Sequence, residues 1–203
     1  MLMRVSSVLA ALALVALLAG CGAAPDTELK SSETALQGSE QAEAATYAAD
    51  LHQSALDSLN AAKLEIQEQD SKFALFRSYG RARQLLTSAT QLADQAKSVA
   101  ATARDEVRLE DSTLIADVAQ LISATQLSLT NAPKGKGTRA DLEMLKTDLT
   151  RLETAFAGAQ ADYQSGNYLA AKTKLETIET QIYGIQEQIE AARDKLTSKA
   201  GTK

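Results

Sequence analysis

The chain is short of the residues that punctuate a fold and of those that do chemistry. Its 203 residues include one cysteine, two prolines, one histidine and no tryptophan. A single cysteine excludes an intrachain disulfide and any multi-cysteine metal site. Two prolines and ten glycines leave long stretches with nothing to interrupt a helix. Aromatic residues make up only 4% of the chain. Alanine is abundant, so the core is built from small and aliphatic side chains, and helices must approach closely to bury useful area. The net charge is −5, from 21 basic and 26 acidic residues. No basic field offers the phosphate neutralisation on which nucleic-acid binding depends, so nucleic acid is not an expected partner. Nor is the surface broadly suited to gripping anionic headgroups.

One long apolar run is present, at the N-terminus. Met1 to Arg4 carries a single positive charge, and Val5 to Ala19 is Val, Leu and Ala broken only by Ser6 and Ser7. At about 15 residues the run is shorter than the roughly 20 that span a bilayer. Its three-part shape is that of an export signal. The run closes on Leu18-Ala19-Gly20-Cys21, which resembles the lipobox of bacterial lipoproteins. The resemblance implies cleavage before Cys21 by the lipoprotein signal peptidase, a diacylglycerol on the Cys21 thiol and an acyl chain, typically palmitate, on its amine. Two or three chains on Cys21 would hold the protein in a membrane, where one chain anchors only marginally. Gly22 follows the cysteine, and the absence of Asp there implies the outer membrane, facing the periplasm, in a Gram-negative cell. Loss of Arg4 with residues 1–20 takes the net charge from −5 to −6 over the remaining 183 of 203 residues.

Residues 21–41 read as a flexible linker, with Pro25, Gly38, several serines and little apolar periodicity. A coil of about 18 residues has a mean span of roughly 25 Å, enough to lift a folded body off the headgroups. Four helical segments follow. The first, about 42–69, carries Tyr47, Leu51, Ala55, Leu59, Ala62 and Ile66 at spacings of three and four. The second begins near Phe73 to Phe76, with the seam Ala82, Leu86, Ala89, Ala93, Ala96, Ala100, Ala103, Val107. That alternation of fours and threes is a coiled-coil heptad. It continues through Leu114, Val118 and Leu121 to Leu129, giving one helix of about 55 residues and roughly 80 Å, bent near 108–113; Asp111-Ser112 could instead cap a fresh helix. Residues 131–138, with Pro133, Gly135 and Gly137, break the chain, and Thr138 stands as an N-cap. The third helix, about 139–164, presents Leu142, Leu145, Leu149, Leu152, Phe156, Ala159 and Tyr163. The fourth, about 168–197, carries Ala171, Leu175, Ile178, Ile182, Ile185, Ile189, Ala192 and Leu196, with a tail at 198–203.

The expected fold is all-α: an elongated antiparallel bundle of two long helical hairpins, 42–130 and 139–197, packed like coiled coils. The second and fourth helices echo each other at a fixed offset. Tyr79, Ala82, Leu86 and Ala103 align with Tyr168, Ala171, Leu175 and Ala192, as an old duplication would leave them.

Two further resemblances attach to these segments. Tyr47-Ala48-Ala49-Asp50-Leu51, Ala55, Leu59, Ala62 and Tyr79-x-x-Ala82 through Ala103 make residues 46–108 similar to an alanine-rich domain family of unknown function from envelope lipoproteins. It implies a helical hairpin and no particular activity. Ala161-Asp162-Tyr163-Gln164-Ser165-Gly166-Asn167-Tyr168 resembles the turn inside a tetratricopeptide repeat, which implies a peptide-binding groove. The helices on either side, about 26 and 30 residues, are long against a whole repeat of about 34.

Residues capable of catalysis are few. His52 follows the seam residue Leu51 and reads as a surface histidine, without acidic or cysteine partners at metal spacing. Cys21, if lipidated, is blocked as a nucleophile. Gly135-Lys136-Gly137-Thr138 fails the phosphate-loop pattern: Ala132 occupies the first glycine position and no strand precedes it. Lys134, Lys136 and Arg139 instead form a small basic tip that could touch an anionic polymer or partner. The chain is not expected to be an enzyme or to hold a cofactor or metal. The expected function is that of a membrane-anchored envelope lipoprotein with a structural or adaptor role. Its partners would be the membrane through lipid on Cys21, the lipoprotein-processing enzymes, an envelope protein or polymer, and a second copy of the chain through the alanine seams. The alternative is a periplasmic peptide- or polymer-binding helical module of tetratricopeptide-like type. Lys203 adds a third reading, since the murein lipoprotein also ends in lysine, bonded there to peptidoglycan.

Overall fold

The computed structural model describes residues 23–133, Gly135 and residues 138–200, the last five by backbone alone. The described residues form an all-helical bundle without strands. In chain order the helices are α1 (Asp26–Gln41), α2 (Ala44–Tyr47), α3 (Ala49–Asp70), α4 (Gly80–Asn131), α5 (Arg139–Gln164) and α6 (Tyr168–Ala200). The chain divides into two compact units, residues 1–103 and 104–203. The boundary falls inside α4, not at the Pro/Gly loop 131–138 that the two-hairpin reading used. Each unit takes its own share of α4: Leu86, Ala89 and Ala93 pack with α1 and α3, whereas Val118, Ile122 and Leu129 pack with α5 and α6.

The largest departure from the sequence reading is α1. Residues 26–41 are helix, not a flexible linker. The buried positions are Pro25, Ser32, Leu36 and Ser39, with Leu29 half-buried, at spacings of four and three. This is a heptad stripe in which serine fills positions that apolar residues normally hold. Serine is small enough for close helix approach, and its hydroxyl is satisfied locally. Ser32 Oγ donates to the Leu86 carbonyl at 2.8 Å and lies 2.9 Å from Thr90 Oγ1. Ser39 Oγ donates to the Leu36 carbonyl at 2.7 Å.

Glu43, at φ 58°, sits in the left-handed region and separates α1 from the short α2. Along α3 the buried positions are His52, Ala55, Leu59, Ala62 and Gln69. The stripe therefore runs through His52, and Leu51 beside it is half-buried. In α4 every alanine of the seam from Ala82 to Ala100 is buried, as the heptad predicts, with Leu86 among them. Phe73 to Phe76 is not the start of that helix: Ala74–Phe76 is one 3₁₀ turn, and α4 opens at Gly80.

The helix α4 is continuous through residues 108–113. Asp111 is therefore an interior helical residue, not an N-cap. Beyond Val107 the buried positions are Asp111, Val118, Ile122, Thr125 and Leu129. These lie one residue further on than strict continuation of the heptad, which is how an extra four-residue step displaces a coiled-coil seam.

In the second unit the expected stripes of α5 and α6 are the buried ones. Leu142, Leu145, Leu149, Leu152 and Ala159 pack with Leu175, Ile178, Ile182, Ile185, Ile189 and Ala192 in one cluster. The side chain of Leu196 lies outside the described residues. The α5–α6 turn is three residues, Ser165 to Asn167. Gly166 takes φ +86°, which only glycine adopts without strain, and its amide donates to the Tyr163 carbonyl at 3.1 Å.

Candidate functional site

Cys21 and the rest of the lipobox, Leu18, Ala19 and Gly20, lie outside the described residues, as do Lys134, Lys136 and Lys203. Arg139 is described and exposed in the first turn of α5. Behind it, the Gly135 amide donates to Thr138 Oγ1 at 3.1 Å, closing the loop onto the helix start.

The described chain nevertheless fixes where the N-terminal segment arrives. The guanidinium of Arg83, in the first turn of α4, donates to the Ala23 carbonyl at 2.9 Å and to Glu28 Oε1 at 3.2 Å. Pro25 is fully buried at the start of α1. Sequence reading missed this because the pattern that orders α1 is made of serines, and Arg83 gives no periodic signal.

His52 is buried rather than on the surface, with Nδ1 3.0 Å from Ser39 Oγ. A serine beside a histidine suggests a nucleophile and its base, but the protons run the other way. The Ser39 hydroxyl proton is committed to the Leu36 carbonyl, so the imidazole Nδ1–H donates to Ser39 Oγ. Ser39 is fully buried and presents no face to a substrate. The pair ties α1 to α3.

The loop between α3 and α4 holds a second polar cluster. Gln69 donates to Glu65 Oε1 at 2.7 Å and accepts the Ser78 amide at 3.0 Å. Tyr79, almost fully buried, donates its hydroxyl to Asp70 Oδ1. That hydrogen bond, with burial adding to it, raises the Tyr79 pKa above its ordinary value. The equivalent tyrosine in the second unit, Tyr168, is half-exposed. It lies against Tyr163, ring centroids 5.4 Å apart, with the Arg104 guanidinium 5.1 Å from its own ring. Those rings and the cation fill the space around the α5–α6 turn.

Asp111 is the most anomalous side chain of the second unit. It is 0% exposed, and neither carboxylate oxygen has a hydrogen-bond partner. Burial pushes its carboxyl above the ordinary carboxylate range; Lys172 opposes this, and Glu110 and Glu176 add to it. Lys172 itself is engaged by Glu110 Oε2 at 2.5 Å. Two heptads further along α4, Gln186 donates to Thr125 Oγ1 at 2.8 Å, so the other buried polar group of that stripe is satisfied.

Among the described residues no three His, Cys, Asp or Glu side chains are grouped to hold a metal ion. The surface depressions are open and of mixed polarity, such as one of about 450 Å³ bordered by Gln126, Leu142, Lys146 and Glu153. No family model matches the chain, and neither a curated protein nor a solved structure matches it.

Proposed function

We propose that the chain is a lipid-anchored bacterial envelope protein, bearing acyl chains on Cys21, with a structural or adaptor role at the periplasmic face of the outer membrane. The observation that carries this reading is Leu18-Ala19-Gly20-Cys21 at the end of a short apolar run. The helical body is compatible with it. No described helix is long and apolar enough to cross a membrane. Both units are held by stripes of Ala, Leu and Ile, and the buried pairs Ser32–Thr90 and Ser39–His52 join helices. Such a body presents surfaces rather than a reaction centre, which supports an adaptor that engages an envelope protein, an envelope polymer or a second copy.

The test is metabolic labelling with palmitate in a bacterial host. The wild-type chain takes label and runs as a form shortened by 20 residues, while Cys21→Ala takes none. Label that persists in Cys21→Ala would sink the anchor.

A further inference from the structure

The α3–α4 loop is built inside out. Ser71 to Tyr79 takes nine residues to join two antiparallel helices, where the α5–α6 turn manages with three. Half-buried Arg77, the Ser78 amide and buried Tyr79 hold it in place, while the Ser71 and Ser78 side chains are exposed. Arg77 donates to the Lys72 carbonyl at 3.0 Å and to the Asp70 carbonyl at 2.8 Å, Ser78 is bound by Gln69, and Tyr79 is bound by Asp70. Its apolar side chains point outward: Phe73 is 70% exposed, Leu75 83% and Phe76 76%. The two phenyl rings meet in tilted contact, with centroids 6.4 Å apart. Scattered exposed apolar residues are ordinary, but three large ones on one rigidly held loop mark an interaction surface.

Two observations say what covers them. First, the loop is at the end of the unit where the N-terminal segment arrives. Arg83, which holds Ala23, stands one helical turn beyond Tyr79, whose carbonyl accepts the Arg83 amide at 2.9 Å. Second, residues 71–84 carry Lys72, Arg77, Arg81 and Arg83 and no acidic residue, in a chain of net charge −5. Lys72, Arg81 and Arg83 are paired with Glu68, Glu65 and Glu28, whereas Arg77 is held on backbone carbonyls. Apolar tips with Arg77 beside them match the acyl and phosphate layers of an anionic bilayer.

We propose that Phe73, Leu75 and Phe76 insert into the lipid surface beside Cys21, as a second membrane contact that seats this end of the first unit on the headgroups. The proposal rests on the lipid-anchor reading for its geometry but is tested separately. The chain has no tryptophan, so a single introduced indole reports one site. Full-length Phe76→Trp and Leu64→Trp, the latter exposed on α3, are matured in a bacterial host and reconstituted into phosphatidylethanolamine–phosphatidylglycerol vesicles with brominated acyl chains. Insertion to the headgroup–acyl boundary predicts blue-shifted emission from the Phe76→Trp protein, with at least about twofold stronger bromolipid quenching than in the Leu64→Trp protein. Equal emission and quenching from the two variants overturn the proposal. So does a blue shift in Phe76→Trp without bromolipid quenching that grows with protein concentration, since a second copy would then cover the loop. The mass of the same sample reads Cys21 independently. Bromolipid quenching of Phe76→Trp on an unlipidated chain keeps the loop and rejects the anchor; a solvent-exposed indole in Phe76→Trp on a lipidated chain does the reverse.

Discussion

Asp111 gives the sharpest energetic prediction. A carboxylate without hydrogen bonds, fully buried in the α4 stripe, costs stability whenever it is charged. Its folded-state pKa is raised, first by desolvation, so the native state binds a proton more tightly than the unfolded chain. The sign follows: the unfolded state holds fewer protons across that window, so stability falls as pH rises from the unfolded value, about 3.9, through the raised folded value. Acidification across the same window restores it. Asp111→Asn keeps the shape and removes the charge, although its amide still lacks partners. Replacing an unpaired buried charge in this way should stabilise the second unit by about 1–2 kcal/mol at pH 7. For a unit of about 100 residues, each 1 kcal/mol raises the midpoint by roughly 4–8 °C. Two units can melt separately, so the measurement needs a local probe. Tyr183→Trp, half-exposed on α6, supplies one. Urea titrations of the Asp and Asn forms in that background, between pH 4 and 8, should show a gap that is widest at neutral pH and closes below about pH 4. An Asn form that is less stable at pH 7, or a gap independent of pH, would falsify this account and mean that the carboxylate is satisfied as an anion.

Two substitutions test the fold elsewhere. Leu36→Ala truncates the main apolar anchor of α1 and should cost about 2–3 kcal/mol, seen as faster amide exchange over residues 26–41; unchanged exchange would mean that α1 is not held by its core contacts. Gly166→Ala forces a side chain into φ +86° and sets its Cβ 3.1 Å from Arg104 Nη2. It should destabilise the second unit by about 1–2 kcal/mol, read as a lower thermal midpoint, and a neutral result would show that the turn relaxes freely.

How much of this was legible varied with how apolar each stripe was. The seams of α5 and α6 are Leu and Ile at clean spacing, and their buried positions are those the periodicity predicts. The alanine seam of α4 was equally readable up to Ala100. Beyond it the sequence is degenerate: Leu114 and Ile115, then Leu121 and Ile122, are adjacent apolar pairs, so two registers one residue apart fit equally well. Packing against α5 and α6 selects the register that buries Ile122 and takes Asp111 with it. In α3 the same ambiguity lay between Leu51 and His52, and hydrophobicity favours the wrong one. Histidine is buried there because Ser39 supplies its partner, a pairing across thirteen positions that no local window contains. The stripe of α1 is invisible to hydropathy because half of it is serine. Cys21 lies outside the described residues.

The reassignment of α1 changes what a lipid on Cys21 would do. With residues 22–41 as a free coil, the body would stand off the bilayer by roughly 25 Å and turn freely about its tether. With α1 packed into the first unit and Ala23 bound to Arg83, only two residues, at most about 7 Å when extended, would separate a lipid on Cys21 from the held chain. A tether that short would keep the α3–α4 loop, at the same end of the first unit, close to the headgroup layer. Phe73, Leu75 and Phe76 face outward there, so a tether this short would leave them within reach of the lipid surface. An adaptor seated in this way would present a fixed face of its first unit to the periplasm, where a long coil would present every face in turn. Inserting a flexible Gly/Ser segment between Cys21 and Ala23 separates the two effects. The acyl chains would stay in the membrane, and an inserted loop would hold the unit down despite the longer tether. Protection of Phe76→Trp from aqueous quenchers should therefore survive the insertion. If protection were lost as the tether lengthened, proximity alone would have kept the loop near the lipid, and the loop would have no affinity of its own.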